Sequence, residues 1–424
     1  MGARPDLAAL VPALGLVPGV DPFVLLDGEG WGTRMLAFDP EFTLSVEEAS
    51  PFEELRRVLA PGEQVEGHPF AGPALFGYLS YDAARHLERL PALAEDDLRL
   101  PVVRFILPRY VVGAGPEGVW ASVPAGENVG FIARALRRLA PLSHAADAEP
   151  AGALRVARST LGREGYVRAV ERVKEYVRAG DVFQVNISQR FEVPFDGEPM
   201  KLYEALRRRN PSPFGGMVSF PGLVAVSSSP ERLVNLRGRR ASTRPIAGTY
   251  PRGAGAGAAL LLDPKERAEH AMILDLERND LGRSAAYGTV RVEEFMATET
   301  YSHVVHIVSE VAGELAEGRD AVDLLAGMFP GGTITGCPKV RCMEIIEELE
   351  PVRRGLYTGS FGYLNLDGSA MDMNIAIRTI LLKDGNAYAQ AGGGVVADSV
   401  PTREYRESVA KAAALLECLG AQAP

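Results

Sequence analysis

Two helical stretches of this 424-residue chain set glutamates along a face that is otherwise apolar, and a fold that accepts them must offset the loss of water around those carboxylates. In DPKERAEHAMILDLERNDLGR, the residues Glu266, Glu269, Ile273 and Leu276 follow the rhythm of one helical stripe. Glu404 and Glu407 repeat the spacing in VPTREYRESVAKAAALL. Taken alone, either pattern reads equally well as a solvated helix face. When such acids are buried, a divalent cation is the usual solution, and Mg²⁺ takes carboxylate oxygens while keeping positions for water and an anionic substrate.

The bulk composition, 46% hydrophobic and 24% charged, is that of a globular chain long enough for one very large domain or two cores. A net charge of -10 argues against a broad nucleic-acid footprint, although a local basic pocket for a small acid remains compatible with it. The apolar run from Leu7 to Leu26 is broken by Pro12, Pro18 and Pro22 and lacks a basic start, so neither a signal peptide nor a membrane span is expected. Cys337, Cys342 and Cys418 show no C-x-x-C spacing, which fits a reducing cytoplasm and suggests neither a disulfide framework nor a zinc site.

The Ala/Pro-rich stretch at 141–153 marks the main seam, dividing an N-terminal region, 1–150, from 151–424. Before it come strand-like runs such as FVLLDG, RMLAFDP, ALFGYLSYD and VVRFILPRYVVG. After it, a helix ending at Gly180 leads into DVFQVNISQRFEV, with Phe183, Val185 and Ile187 on one face and Gln184, Asn186 and Ser188 on the other. Strands are predicted at GMVSF, LVAVSSS, RLVNLRG, RRASTRPIAG, GSFGYLNL, MNIAIRTILL and AYAQAGGGVV, with helices over 342–349 and 402–418. The fold class is α+β with large, mainly antiparallel sheets.

FPGGTITGCPK is not a nucleotide P-loop, because Cys337 and Pro338 separate Gly336 from Lys339; it reads as a glycine-rich turn whose amides and Lys339 face an anion, or as a purely structural turn. The run Gly392-Gly393-Gly394 also lets backbone N–H groups approach a carboxylate. His306, in an apolar run, reads first as a core residue, and its spacing from His303 is not that of a metal clamp. Glu231 stands at a strand end, as a cleft acid or an exposed turn acid. Arg378 and Lys411 suit substrate carboxylates, yet Glu407 and Lys411 also have the spacing of a routine helix ion pair.

In this order, RPIAGT, KERAEHAMILDLERNDLGR, PGGTITGCPKVRCMEIIEELEP, RRGLYTGSFGYL, NIAIRT and AGGGVVADS resemble the chorismate-utilising enzymes, over residues 155–415 nearly end to end. The resemblance implies an αββα-type sandwich that binds chorismate and Mg²⁺ between its halves. It implies Glu269 and Glu407 as metal ligands, with Glu266 and Glu404 beside them, and Thr249, Tyr357, Arg378, Gly393, Gly394 and Lys411 as substrate contacts. Glu231 and His306 match positions that assist departure of the ring C4 hydroxyl. Water-adding members place a lysine base where this chain has Gln184, which cannot deprotonate water, so ammonia from a separate glutamine amidotransferase subunit is expected as the nucleophile.

Amination at C4 is expected from the style of LERNDLGR, FPGGTITG, MDMNIAIRT with Asn374, the triple glycine and GYLSYDAARHLERLP. Leu25-Leu26-Asp27-Gly28 replaces the L-L-E-S of tryptophan-sensing members. Ala247 points the other way, since many C4-aminating members carry a lysine there; amination at C2 with loss of pyruvate is the alternative. A silent binding protein is disfavoured because the acids, His306, Arg378 and Lys411 are all present.

Overall fold

The computed structural model describes residues 5–59, 73–116, 118–139, 155–253, 255–300 and 304–424, so the seam at 141–153 and His303 lie outside the described residues. Strand Val103–Gly115 is the spine of one continuous antiparallel sheet. Along one edge it pairs with Arg34–Val46, and along the other with Ala74–Leu79 and Gly118–Ser122. From Arg34–Val46 a first arm runs through Phe23–Leu26, Phe214–Phe220, Leu223–Ser229, Thr379–Lys383, Asn386–Val395 and Gln184–Pro194. From Ala74–Leu79 a second arm runs through Ser360–Asn365, Ala370–Asn374, Arg232–Arg237 and Arg240–Arg244 to Val304–Glu314, which also carries Ile246–Pro251 and Arg291–Thr300. Strands before the seam are thus hydrogen-bonded directly to strands after it.

The arms curl over one another around an inner core to which Val24, Met35, Phe76, Tyr78, Phe220 and Tyr363 contribute. Helices Leu7–Ala13, Gly130–Arg138, Pro199–Arg209 and Pro401–Cys418 cover the outer face of the first arm. Pro51–Val58, Pro264–Gly282 and Ala321–Met328 cover the second. The order helix, sheet, sheet, helix is the expected sandwich. Where strands cross most closely, only glycine fits: Gly77 and Gly362 sit opposite each other, and a Cβ on either would run into the backbone of the next strand.

Local sequence explains most elements. Gly180 ends helix Gly162–Ala179 in a left-handed conformation with φ 82°. In Gln184–Pro194 the alternation sends Val185 and Ile187 into the helices Gly162–Ala179 and Lys339–Leu349, leaving Gln184, Asn186 and Ser188 on the opposite face. Phe183, expected on the apolar face, precedes the strand and is exposed. MNIAIRTILL does not form one strand: it breaks between Asn374 and Thr379, where Arg378 takes φ 51°. Asp263 caps helix Pro264–Gly282 by accepting from the N–H groups of Lys265 and Glu266.

One buried ion pair joins the polar face of Gln184–Pro194 to the loops around it. Arg354 donates twice to Glu350, at 2.7 and 3.0 Å, and also to the carbonyls of Ile334 and Asn186 at 2.8 and 2.7 Å. Glu350 in turn accepts from the backbone N–H and hydroxyl of Ser188, each at 2.9 Å. Both side chains are almost fully buried. Removing one partner strands the other charge in a site without water. Arg354→Ala is therefore expected to cost about 3–5 kcal/mol of unfolding free energy. Chemical denaturation checks this, and a loss below about 1 kcal/mol, the level of a surface pair, would refute it.

Candidate active site

Gln184 is 4% exposed, and its amide stands so close to Gly394 that a Cβ on that glycine would strike it. One residue back, a Cβ on Gly393 would lie 3.7 Å from both Glu404 Oε2 and Lys411 Nζ and 3.8 Å from Glu407 Oε1. The triple glycine therefore leaves its backbone open toward the acids and the lysine of the closing helix. Lys411 binds Glu407 at 2.8 Å, so the helix ion pair expected from their spacing is present.

The two acidic pairs converge. Glu266 is raised from the usual carboxylate range, mainly by burial and partly by the charge of Glu407. Burial also raises Glu269, with the charges of Glu266 and Glu407 adding to it. Glu404 is raised by burial and by Glu407. Burial opposes ionisation of Glu407 as well, but Lys411 and then Lys265 bring it net down. Four carboxylates turned toward one region, Glu404 buried, Glu266 and Glu269 half-buried and Glu407 exposed, repel one another and favour a hard cation, and their oxygen donors suit Mg²⁺. Among the described residues no three acids already stand at ligating distance of a common point.

From Glu266 the line of contacts continues to Gly248, whose Cβ would meet Glu266 Oε2 at 3.0 Å. The Gly248 carbonyl accepts from His306 Nδ1 at 3.0 Å, so that nitrogen carries the proton and the ring is neutral; burial, then the charge of Arg378, lowers its pKa. Arg378 is itself lowered by burial and lies within electrostatic reach of Tyr357, whose phenol burial raises to about 12. Tyr357 stacks beneath Arg354, 5.6 Å from the ring centre, and Arg354 holds the Asn186 carbonyl beside Gln184. The interactions thus close on themselves around one candidate site. For Thr249 the backbone alone is described: it pairs with His306.

Glu231 follows the end of strand Leu223–Ser229. It is 6% exposed, its backbone carbonyl accepts from Ile375 N at 3.0 Å, and burial pushes its carboxyl up to about 8. At neutral pH it is an acid with a proton to give, the state a leaving hydroxyl requires.

Two expectations change. Lys339 does not face a ligand anion: it is buried and bound to Asp280 at 2.6 Å and to the Met328 carbonyl at 3.3 Å. The buried stripe of the first acidic helix is His270, Ile273, Leu274, Glu277, Asp280 and Leu281, so Glu266 and Glu269 flank it and Leu276 is only half-buried. Sequence reasoning missed Glu277, Thr333, Glu350 and Arg354. The four-residue step from Glu350 to Arg354 in EPVRR was the one visible signal.

Residues 21–417 match the family of chorismate binding enzymes, and the chain belongs to it. It is a chorismate-utilising enzyme of the anthranilate synthase and aminodeoxychorismate synthase component I type. It is 46% identical over 408 residues to anthranilate synthase component 1 of Thermus thermophilus, covering 90% of this chain and 86% of the relative. It is 41% identical over 421 residues to aminodeoxychorismate synthase component 1 of Bacillus subtilis, covering 95% and 88%. Anthranilate synthase component I from Streptococcus pneumoniae superposes with a TM-score of 0.81 at 31% identity, covering 91% of this chain and 92% of that one.

A raised carboxyl has a sign in stability. With a folded pKa of about 8, Glu231 favours the folded state at low pH, and that contribution is lost as the pH rises through 8. The melting temperature of the wild type should therefore fall more steeply than that of Glu231→Gln, which has no proton to lose, between about pH 5 and about pH 8, the window between the unfolded and the folded pKa. Parallel curves in differential scanning calorimetry would show that Glu231 is not held protonated.

Proposed function

We propose that this protein is aminodeoxychorismate synthase component I, replacing the C4 hydroxyl of chorismate by an amino group to give 4-amino-4-deoxychorismate for 4-aminobenzoate and folate synthesis. The observation that carries an aminating reaction is Gln184: buried against Gly394, it occupies the position of the water-activating base and cannot serve as one. Amination at C4 is supported by the segments FPGGTITG, NIAIRT and AGGGVVADS and by the Bacillus relative of that name. Anthranilate synthase component I, which aminates C2 and releases pyruvate, is the second reading. It is favoured by Ala247 and by the higher identity of the Thermus relative.

Arg378, Lys411 and the backbone of Gly393 and Gly394 hold the substrate carboxylates, as cations and donors set around one cleft. Protonated Glu231 gives its proton to the departing C4 oxygen, because hydroxide is a poor leaving group. His306, whose Nδ1 is held by the Gly248 carbonyl, assists departure of that oxygen. Glu269 and Glu407, with Glu266 and Glu404, would hold Mg²⁺, which when bound neutralises a substrate carboxylate and offsets the mutual repulsion of the acids. Ammonia comes from a separate glutamine amidotransferase: burial raises the thiols of Cys337, Cys342 and Cys418, so none has the activated state of a glutaminase nucleophile. No helix among the described residues is long and apolar enough to cross a membrane, and the cytoplasm is the proposed location.

Purified protein incubated with chorismate, ammonium and Mg²⁺ should form 4-aminobenzoate only after aminodeoxychorismate lyase is added. Fluorescent anthranilate without the lyase would establish the second reading, and untouched chorismate would remove both. In the same assay, Glu269→Gln and Glu407→Gln should each lower turnover by more than about 100-fold, with circular dichroism unchanged. Wild-type turnover in either variant would contradict the metal assignment.

A further inference from the structure

Gln184 and Asn186 open strand Gln184–Pro194 and, two residues apart, stand on the same face of it. Their side-chain oxygens, Oε1 and Oδ1, are buried and accept no hydrogen bond among the described residues, and the same is true of Thr333 Oγ1. Three contacts bring these groups to one place. Gly394 stands directly opposite Asn186 in the ladder. The amide of Gln184 lies over that glycine, its Nε2 2.3 Å from where a Cβ would stand. Asn186 Nδ2 donates to the Thr333 carbonyl at 3.4 Å, which sets Thr333 beside it. The backbone of Asn186 is fixed as well: its N–H donates to the Thr335 carbonyl at 2.9 Å, and its own carbonyl accepts from Arg354 at 2.7 Å.

Further along the same strand, side-chain oxygens are spent inside the protein. Ser188 Oγ donates to Glu350 at 2.9 Å and accepts from Gln390 at 2.9 Å, and Gln189 Oε1 accepts from the Ser159 hydroxyl at 2.7 Å. The unspent acceptors of Gln184 and Asn186 therefore sit at the end of the strand that faces Gly394. A buried acceptor without a donor is costly, and an apolar side chain at position 186 would remove that cost. The oxygen is kept for a donor that does not belong to the chain.

Ammonia carries three N–H groups and one lone pair. For the lone pair to meet the ring, the N–H groups must point away from it, and in a site closed to bulk water they need acceptors behind them. An amide oxygen accepts an N–H and leaves the nitrogen neutral, whereas a carboxylate in its place would stabilise ammonium, whose lone pair is already bonded. We propose that Asn186 is an ammonia-binding residue: with Gln184 it accepts N–H bonds from the incoming nucleophile and turns the lone pair toward the ring, the Thr333 hydroxyl standing beside it as a third acceptor. This rests on the chain being an aminating enzyme and holds for attack at either ring carbon.

The test varies ammonium chloride at saturating chorismate, and then chorismate at saturating ammonium, in wild type and Asn186→Leu. Aminated products are quantified by mass spectrometry whichever carbon carries the nitrogen, and Asn186→Ala replaces the leucine variant if circular dichroism shows that variant misfolded. The substitution should raise the KM for ammonia about tenfold, the worth of one lost hydrogen bond, with the KM for chorismate changed less than about twofold. An unchanged KM for ammonia, or KM values for ammonia and chorismate that rise together, would make Asn186 a framework residue and overturn the inference while the aminating reading stands. Wild-type protein that forms no aminated product at any ammonium concentration would instead remove that reading, and the role of Asn186 with it.

Discussion

The cleft depends on the buried pair of Glu350 and Arg354 more than on any residue that faces it. A guanidinium spends its donors on a carboxylate and on carbonyls from two separate segments, and the carboxylate fixes Ser188 in return. Strand Gln184–Pro194, the Ile334 turn and the Tyr357 loop are thereby referred to a single group. Because the guanidinium is planar and its donors diverge in fixed directions, an error in the placement of one segment is passed to the others. Such a node gives geometric precision to the segments it joins.

The acids of the cleft divide by the surroundings that the fold gives them. Glu231 loses water without gaining a cation of its own and so retains its proton above the usual carboxylate range. Glu407 keeps Lys411 and Lys265 near and stays ionised. Glu266, Glu269 and Glu404 fall between, desolvated and facing like charge. One residue type thus provides both a proton donor and a set of anionic oxygens, separated only by where the helices and strand ends place them.

Much of this was legible in the chain. Period-two alternation in DVFQVNISQRFEV, the glycine that ends the helix before it, and the spaced glutamates of both acidic helices are local signals, and local signals survive in sequence. What was not legible depends on partners distant in sequence. Lys339 could be read as an anion-binding cation until Asp280 was found beside it. Glu277 was one more polar residue in LERND, because the stripe was traced through Glu266 and Glu269 rather than through His270, Ile273 and Leu274, and its partner Thr243 is distant in sequence. The break before Thr379 was hidden because every residue across it is compatible with an extended strand, and only tertiary packing turns Arg378 into the left-handed region.

The position of strand Phe23–Leu26, inserted between Arg34–Val46 and Phe214–Phe220, bears on how this protein can be divided. A fragment beginning after the seam would expose the unpaired edge of Phe214–Phe220, a template for association with other chains. The early strands are therefore not a detachable accessory. Through the hydrogen-bond ladder they are joined, strand by strand, to Asn386–Val395 and its triple glycine.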